Sequence, residues 1–140
     1  MARVALIQMN ATNDKERNYE ICAQLISQLV LSSHSSSMSK IQLICLPECF
    51  AFIGQTSVES IEAAEDLHES LVIQKYQSLA QEYEVWLSLG GFQELHVVNE
   101  QKKVSNLHLI INPKGEILSE NCYRKVSQHS FILLSHYCNF

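Results

Sequence analysis

Two residues stand where side-chain chemistry would be useful, Glu48 and Lys125. Glu48 directly follows Leu46-Pro47 at the end of the apolar run Ile41 to Leu46. Pro47 has no N–H to give to a ladder, so it marks the strand end and fixes the direction in which the chain leaves it. Ligands collect beyond the carboxyl ends of parallel strands, because loops and helix N-termini converge there. With Ile41 to Leu46 on one side and Cys49-Phe50-Ala51-Phe52-Ile53 on the other, the carboxylate is expected to be desolvated and so to take up a proton readily, as a general base must. Lys125, in Tyr123-Arg124-Lys125, is a cation of the kind that steadies negative charge developing on an acyl oxygen. A solvated loop carboxylate and an edge-shielding lysine also fit the pattern, and position alone leaves both pairs of roles open.

The elements that must position these residues read as α/β. Arg3 to Met9 is a short apolar strand, and Asn13-x-x-Glu16 has capping-box spacing ahead of a helix with apolar residues at Cys22, Leu25, Ile26, Leu29 and Val30. The serine-rich stretch Ser32 to Ser39 breaks that period and predicts a flexible connection. Ile41 to Leu46 follows as a near-continuous apolar strand, the pattern of a parallel strand covered on both faces. After a loop from Pro47 to Glu65, Asp66-x-x-Glu69 offers a second capping box, with Val72, Tyr76, Leu79, Ala80 and Tyr83 at helical spacing. Val85 to Leu89 is a third strand, and Gly90-Gly91 permits a bend before Phe92 to Val98 continues the sheet. Asn99 to Lys103 reads as a polar turn. Val104 to Ile111 then forms a hairpin with Glu116 to Tyr123 around Asn112-Pro113-Lys114-Gly115.

Composition narrows the function classes. The chain has 140 residues, 46% of them hydrophobic and 18% charged, which suits one globular domain. A net charge of −5, with no basic cluster longer than Lys102-Lys103, lacks the footprint that phosphate backbones demand, so nucleic acid is not an expected partner. Val4-Ala5-Leu6-Ile7 is too short for a signal-peptide core and no stretch approaches a membrane span, which makes a cytoplasmic location the expectation and a membrane partner unexpected. The five cysteines (Cys22, Cys45, Cys49, Cys122, Cys138) include no CxxC spacing, so buried free thiols are expected rather than a disulfide framework or zinc ribbon.

Four segments in order carry a resemblance: Val4-Ala5-Leu6-Ile7-Gln8-Met9, Leu46-Pro47-Glu48-Cys49-Phe50, Trp86-Leu87-Ser88-Leu89-Gly90-Gly91-Phe92, and Asn106 through Ile117 into Tyr123-Arg124-Lys125. Together they resemble the carbon-nitrogen hydrolase (nitrilase) superfamily, and within it the nitrilase-homologue branch of deaminated-glutathione amidases, some fused to a fragile-histidine-triad domain. The resemblance implies the N-terminal half of a nitrilase-type αββα sandwich over residues 1–126, truncated, with residues 127–140 as an unmatched tail. It implies a Glu-Lys-Cys triad in which Glu48 is the general base and Lys125 the oxyanion-side cation. Glu takes the thiol proton, the thiolate attacks the amide carbon, ammonia leaves, and water opens the thioester. No metal or organic cofactor is implied; a small amide is the implied substrate, and homo-oligomers are common.

The implied nucleophile, a cysteine in a Cys-Tyr-Asp-like motif well beyond the lysine, has no counterpart here. Cys49 adjoins Glu48 without necessarily sharing its pocket, and Cys138 lacks a strand-to-helix signature. His129, His136 and Cys138 lack recognised zinc spacing, so no metal site is expected. The chain is therefore expected to be inactive by itself. The sheet face meant for a second sheet is expected to stay bare and folding to be marginal, with Phe131 to Leu134 as a partial cover. The rival expectation is a non-enzymatic form that binds a full-length family member or another protein through that face.

Overall fold

The computed structural model describes residues 2–34, 39–98, 100–119 and 124–126. Its order is β1 (Val4–Leu6), α1 (Lys15–His34), β2 (Leu43–Leu46), α2 (Ser57–Glu62), α3 (Leu71–Tyr83), β3 (Trp86–Val98), β4 (Gln101–Ile111), β5 (Ile117–Ser119) and β6 (Arg124–Val126). The strands form one sheet in the order β1-β2-β3-β4-β5, with β6 also paired to β4. β1, β2 and β3 are parallel, and β4 to β6 are antiparallel additions.

The crossovers β1-α1-β2 and β2-α3-β3 step in the same direction across the sheet. Right-handed connections of that kind put both helices on the same face. The burial agrees. Cys22, Ile26 and Val30 of α1 join Ile73, Tyr76, Leu79 and Ala80 of α3 in one core with Ile44, Leu46, Leu87, Leu89, Leu107, Leu109 and Ile111. In register, Ala5, Ile44, Leu87 and Ile111 form one row on this covered face. The adjacent row, Leu6, Cys45, Ser88 and Ile110, lies on the opposite face, where Val4 is 52%, Leu6 80% and Trp86 38% exposed. β2 is thus buried on alternate residues, not covered on both faces as its apolar run suggests. One helix layer on one sheet is half of the αββα arrangement that the resemblance implies.

Several local expectations are corrected. The cap of α1 is Asp14, whose carboxylate accepts from Arg17 N, rather than Asn13. α1 runs on through Ser32 and Ser33, whose hydroxyls bond back to the carbonyls of Leu29 and Val30 rather than competing for the backbone of a turn; residues 35–38 of the serine stretch lie outside the described residues. Asp66 does not cap α3; it accepts from His68 N in a turn, and Ser70 is the cap, accepting from Ile73 N. The long loop contains α2, capped by Thr56. β4 begins at Gln101, inside the stretch expected to be a turn, and Glu100 makes the reversal with φ 63°.

Candidate functional site

Glu48 leaves the carboxyl end of β2 in a turn that is pinned on its far side. Phe50 is fully buried and meets Tyr76 edge to face at 5.0 Å. The carbonyl of Ala51 accepts from Asn18 Nδ2 at 2.9 Å, and Ile53 N donates to Thr12 O at 3.0 Å. Asn18 is itself fully buried, with Oδ1 accepting from Thr12 N and Nδ2 donating to Thr12 O. The loops after β1 and β2 are therefore one hydrogen-bonded unit, and between its anchors Cys49 takes a left-handed φ of 57°. For a residue with a Cβ that conformation is uncommon, and it persists where the surroundings over-determine it.

The other wall of the site is a bulge. Between Leu89 and Phe92 the β3-β4 register shifts, so that Gly90-Gly91 together oppose His108. A Cβ on Gly90 would meet the backbone of residues 46–48 at 3.0–3.2 Å. Gly91 has φ +73°, and a Cβ there would come to 2.7 Å from Glu48 Cγ and 2.8 Å from Asn106 Oδ1. The two glycines let β3 approach the turn that carries the carboxylate. Across the bulge, Asn106 Nδ2 donates to Glu48 Oε1 at 2.8 Å.

The apolar flanks of Glu48 do not desolvate it. Leu46 and Phe50 turn into the helix-side core, while Glu48 itself is exposed on the bare side of the sheet. Lys125 is placed by its backbone in β6, at the register position directly opposite Asn106; its side chain lies outside the described residues. Cys49 is a poor nucleophile in this setting, because burial and then the neighbouring Glu48 charge push its thiol up. Cys22 is pushed up to about 11 by burial within the core. Cys138, His129 and His136 lie outside the described residues, and among the described residues no group of three His, Cys, Asp or Glu side chains is arranged to hold a metal ion. Nor is any described helix long and apolar enough to cross a membrane.

Asn106 was not singled out by its residue type. Its signal is the alternation in β4, where Ser105, Leu107, Leu109 and Ile111 are buried and Asn106, His108 and Ile110 face the other way. Gln93 joins it, because the register row Gln93, Asn106, Lys125 crosses three strands beside Glu48.

A one-sided α/β layer with a carboxylate at the end of its second parallel strand, backed by a Gly-Gly bulge, is what residues 3–132 present where they match the family model for carbon-nitrogen hydrolases. The chain belongs to that family. Among its relatives, the deaminated glutathione amidase of Dictyostelium discoideum is 40% identical over 129 residues, covering 90% of this chain and 41% of the relative. That of Homo sapiens is 36% identical over 123 residues, covering 87% and 35%. The chain thus spans about two fifths or less of the length of these relatives. The crystal structure of the Caenorhabditis elegans NitFhit protein superposes with a TM-score of 0.68 at 28% identity, over 96% of this chain and 30% of that one. Saccharomyces cerevisiae Nit3 superposes with a TM-score of 0.67 at 21% identity, over 91% and 44%, a likeness of fold.

Proposed function

We propose that this chain carries the base-and-cation portion of an amidase that cleaves the C–N bond of a small amide of the deaminated-glutathione type, with Glu48 as general base and Lys125 as the cation at the oxyanion. The observation that supports it most is the Asn106–Glu48 hydrogen bond across the Gly-Gly bulge, which fixes the carboxylate by one oxygen. Among the described residues Oε2 accepts no hydrogen bond and is open to a thiol proton. The thiolate that attacks is not among the described cysteines: Cys22 is buried in the core and Cys49 is held as a thiol, while Cys45 points from β2 onto the bare face beside Ser88. The 140 residues alone are read as inert toward amides, because the sequence carries no Cys-Tyr-Asp-like motif after Lys125.

The test is a chimera in which residues 3–126 replace the matching segment of the Dictyostelium amidase. It should release ammonia from deaminated glutathione, and Glu48→Ala should lower the rate by about 10²–10⁴-fold, the usual loss on removing a general base. A folded chimera whose rate is indifferent to Glu48 would overturn the assignment. Ammonia release by the 140-residue chain alone would overturn its inertness.

The bare face favours a second reading, in which the chain docks on a protein that covers Val4, Leu6 and Trp86. Exposed apolar side chains in contiguous strands are the mark of an interface. A stable, dispersed monomer on gel filtration, with no full-length family member retained in a mixture, would remove this reading.

A further inference from the structure

We propose that the open edge of β1 pairs with the same edge of a second copy of this chain, joining two sheets antiparallel about a two-fold axis at Ala5. The inference is independent of the amidase reading, since it uses neither Glu48 nor Lys125. Among the described residues β1 is the outermost strand, with β2 on one side and no strand on the other. Arg3 O accepts from Gln42 N and Ile7 N donates to Cys45 O, so residues 3, 5 and 7 turn their backbone groups toward β2. Peptide groups alternate sides along a strand, which leaves the N–H and C=O of Val4 and Leu6 on the open side. The usual guards of an edge are missing from Val4–Leu6, which holds no proline, lysine or bulge, and the Arg3 guanidinium is occupied at Ser39 O.

The surface beside this edge is uncharged. α1 has no Asp, Glu, Lys or Arg from Ile21 through Ser33, although a surface helix ordinarily carries charge on its outer face. Between that stretch and the strand runs a cleft of about 440 Å³, lined by Leu6, Ile7 and Gln8 on one side and Leu25, Gln28 and Leu29 on the other. Copies of a chain with net charge −5 repel one another over most of their surface, and a patch without charge is where two of them can meet. The pattern is also self-complementary, as a two-fold interface requires. With Ala5 opposite Ala5 of the second copy, Val4 and the second copy's Leu6 exchange both backbone bonds, and the symmetric pair does the same. Ala5 then takes the close, non-hydrogen-bonded position, with Cα atoms about 4.5 Å apart, and its small side chain on the helix face lets the two α1 helices close over the junction. Because β1 is only 3 residues long, the uncharged stretch of α1 supplies the rest of the contact.

Sedimentation velocity and amide hydrogen exchange of the full 140-residue chain test this together. A dimer should form as concentration rises, and the Val4 and Leu6 amides should gain protection with it, while those of Ala5 and Ile7, already bonded to β2, stay protected on dilution. Leu6→Pro deletes an outward N–H that β2 does not use, at a place where an edge strand tolerates proline. It should weaken the dimer about ten- to a hundredfold, the effect of losing one hydrogen bond on each side of the axis. Leu6→Thr keeps the N–H and should weaken it far less, whereas a dimer joined through the bare face around Trp86 would suffer equally from both. Should Leu6→Pro fail to fold, the exchange of the unsubstituted chain still decides. A chain monomeric at every concentration overturns the proposal, as do edge amides protected only by an added extended peptide. So does a dimer whose Val4 and Leu6 amides exchange as fast as in dilute solution, or one that Leu6→Thr disperses as fully as Leu6→Pro.

Discussion

Gly91→Ala is the most direct probe of the wall behind Glu48. Two costs are legible in the structure. Holding a residue with a Cβ in the left-handed conformation that Gly91 adopts, φ +73°, costs roughly 1–2 kcal/mol. The new methyl would stand 2.7 Å from Glu48 Cγ and 2.8 Å from Asn106 Oδ1, and relieving such overlap typically costs about 1–3 kcal/mol. Together they predict a loss of about 2–5 kcal/mol, which at a urea slope of about 2 kcal/mol/M lowers the unfolding midpoint by roughly 1–2.5 M. Urea titration followed by circular dichroism reads it. The second half of the test is a double-mutant cycle with Asn106→Ala. Removing the amide takes away one of the two overlaps, so the double variant should be more stable than the sum of the single losses predicts, by about 0.5–1.5 kcal/mol. Gly115→Ala supplies the control: its φ of +78° and its contact with Gln77 O also penalise a Cβ, but far from the site, and its loss should add to that of Asn106→Ala. A wild-type midpoint for Gly91→Ala, or simple additivity with Asn106→Ala, would refute the account of the bulge.

Three further outcomes follow from the same structure. Asn18→Ala strands the Thr12 and Ala51 backbone groups that the buried amide satisfies and should cost about 3 kcal/mol in thermal or urea unfolding, with a solvent-exposed asparagine such as Asn13 showing no comparable loss. Burial holds the His108 imidazolium below its ordinary 6.5, so the unfolded chain binds the proton first on acidification; stability should fall as pH drops through about 6.5, and His108→Gln should flatten that fall, as urea midpoints between pH 8 and 5.5 would record. Cys49 should be alkylated by iodoacetamide more slowly than a free cysteine at pH 8 and faster in Glu48→Gln, since the Glu48 charge opposes its thiolate; peptide mass spectrometry reads both rates, and a hyperreactive Cys49 would reopen its candidacy as nucleophile.

The parts of the fold that local pattern determines were legible in the sequence. The period of Cys22, Ile26 and Val30 gave the buried face of α1, Pro47 gave the end of β2, and Gly90-Gly91 gave the irregularity in β3. The cap residues were displaced by one to four positions because Asp14 and Ser70 compete with the Asn13 and Asp66 spacings, and the chain chooses among them by tertiary packing. Glu48 was legible as a site residue, but its exposure was not: flanking apolar residues speak for the direction in which they themselves point, and Leu46 and Phe50 point away from it. Asn106 was hidden for a different reason. Its partner is 58 residues distant, and only the β3-β4 register brings the two together.

The same-direction crossovers leave Asn106 and Glu48 on the side of the sheet opposite α1 and α3. Any layer laid against Leu6, Trp86 and Ile110 would therefore also roof the carboxylate, drying it at the moment the two surfaces meet. Covering that face and enclosing Glu48 are one event.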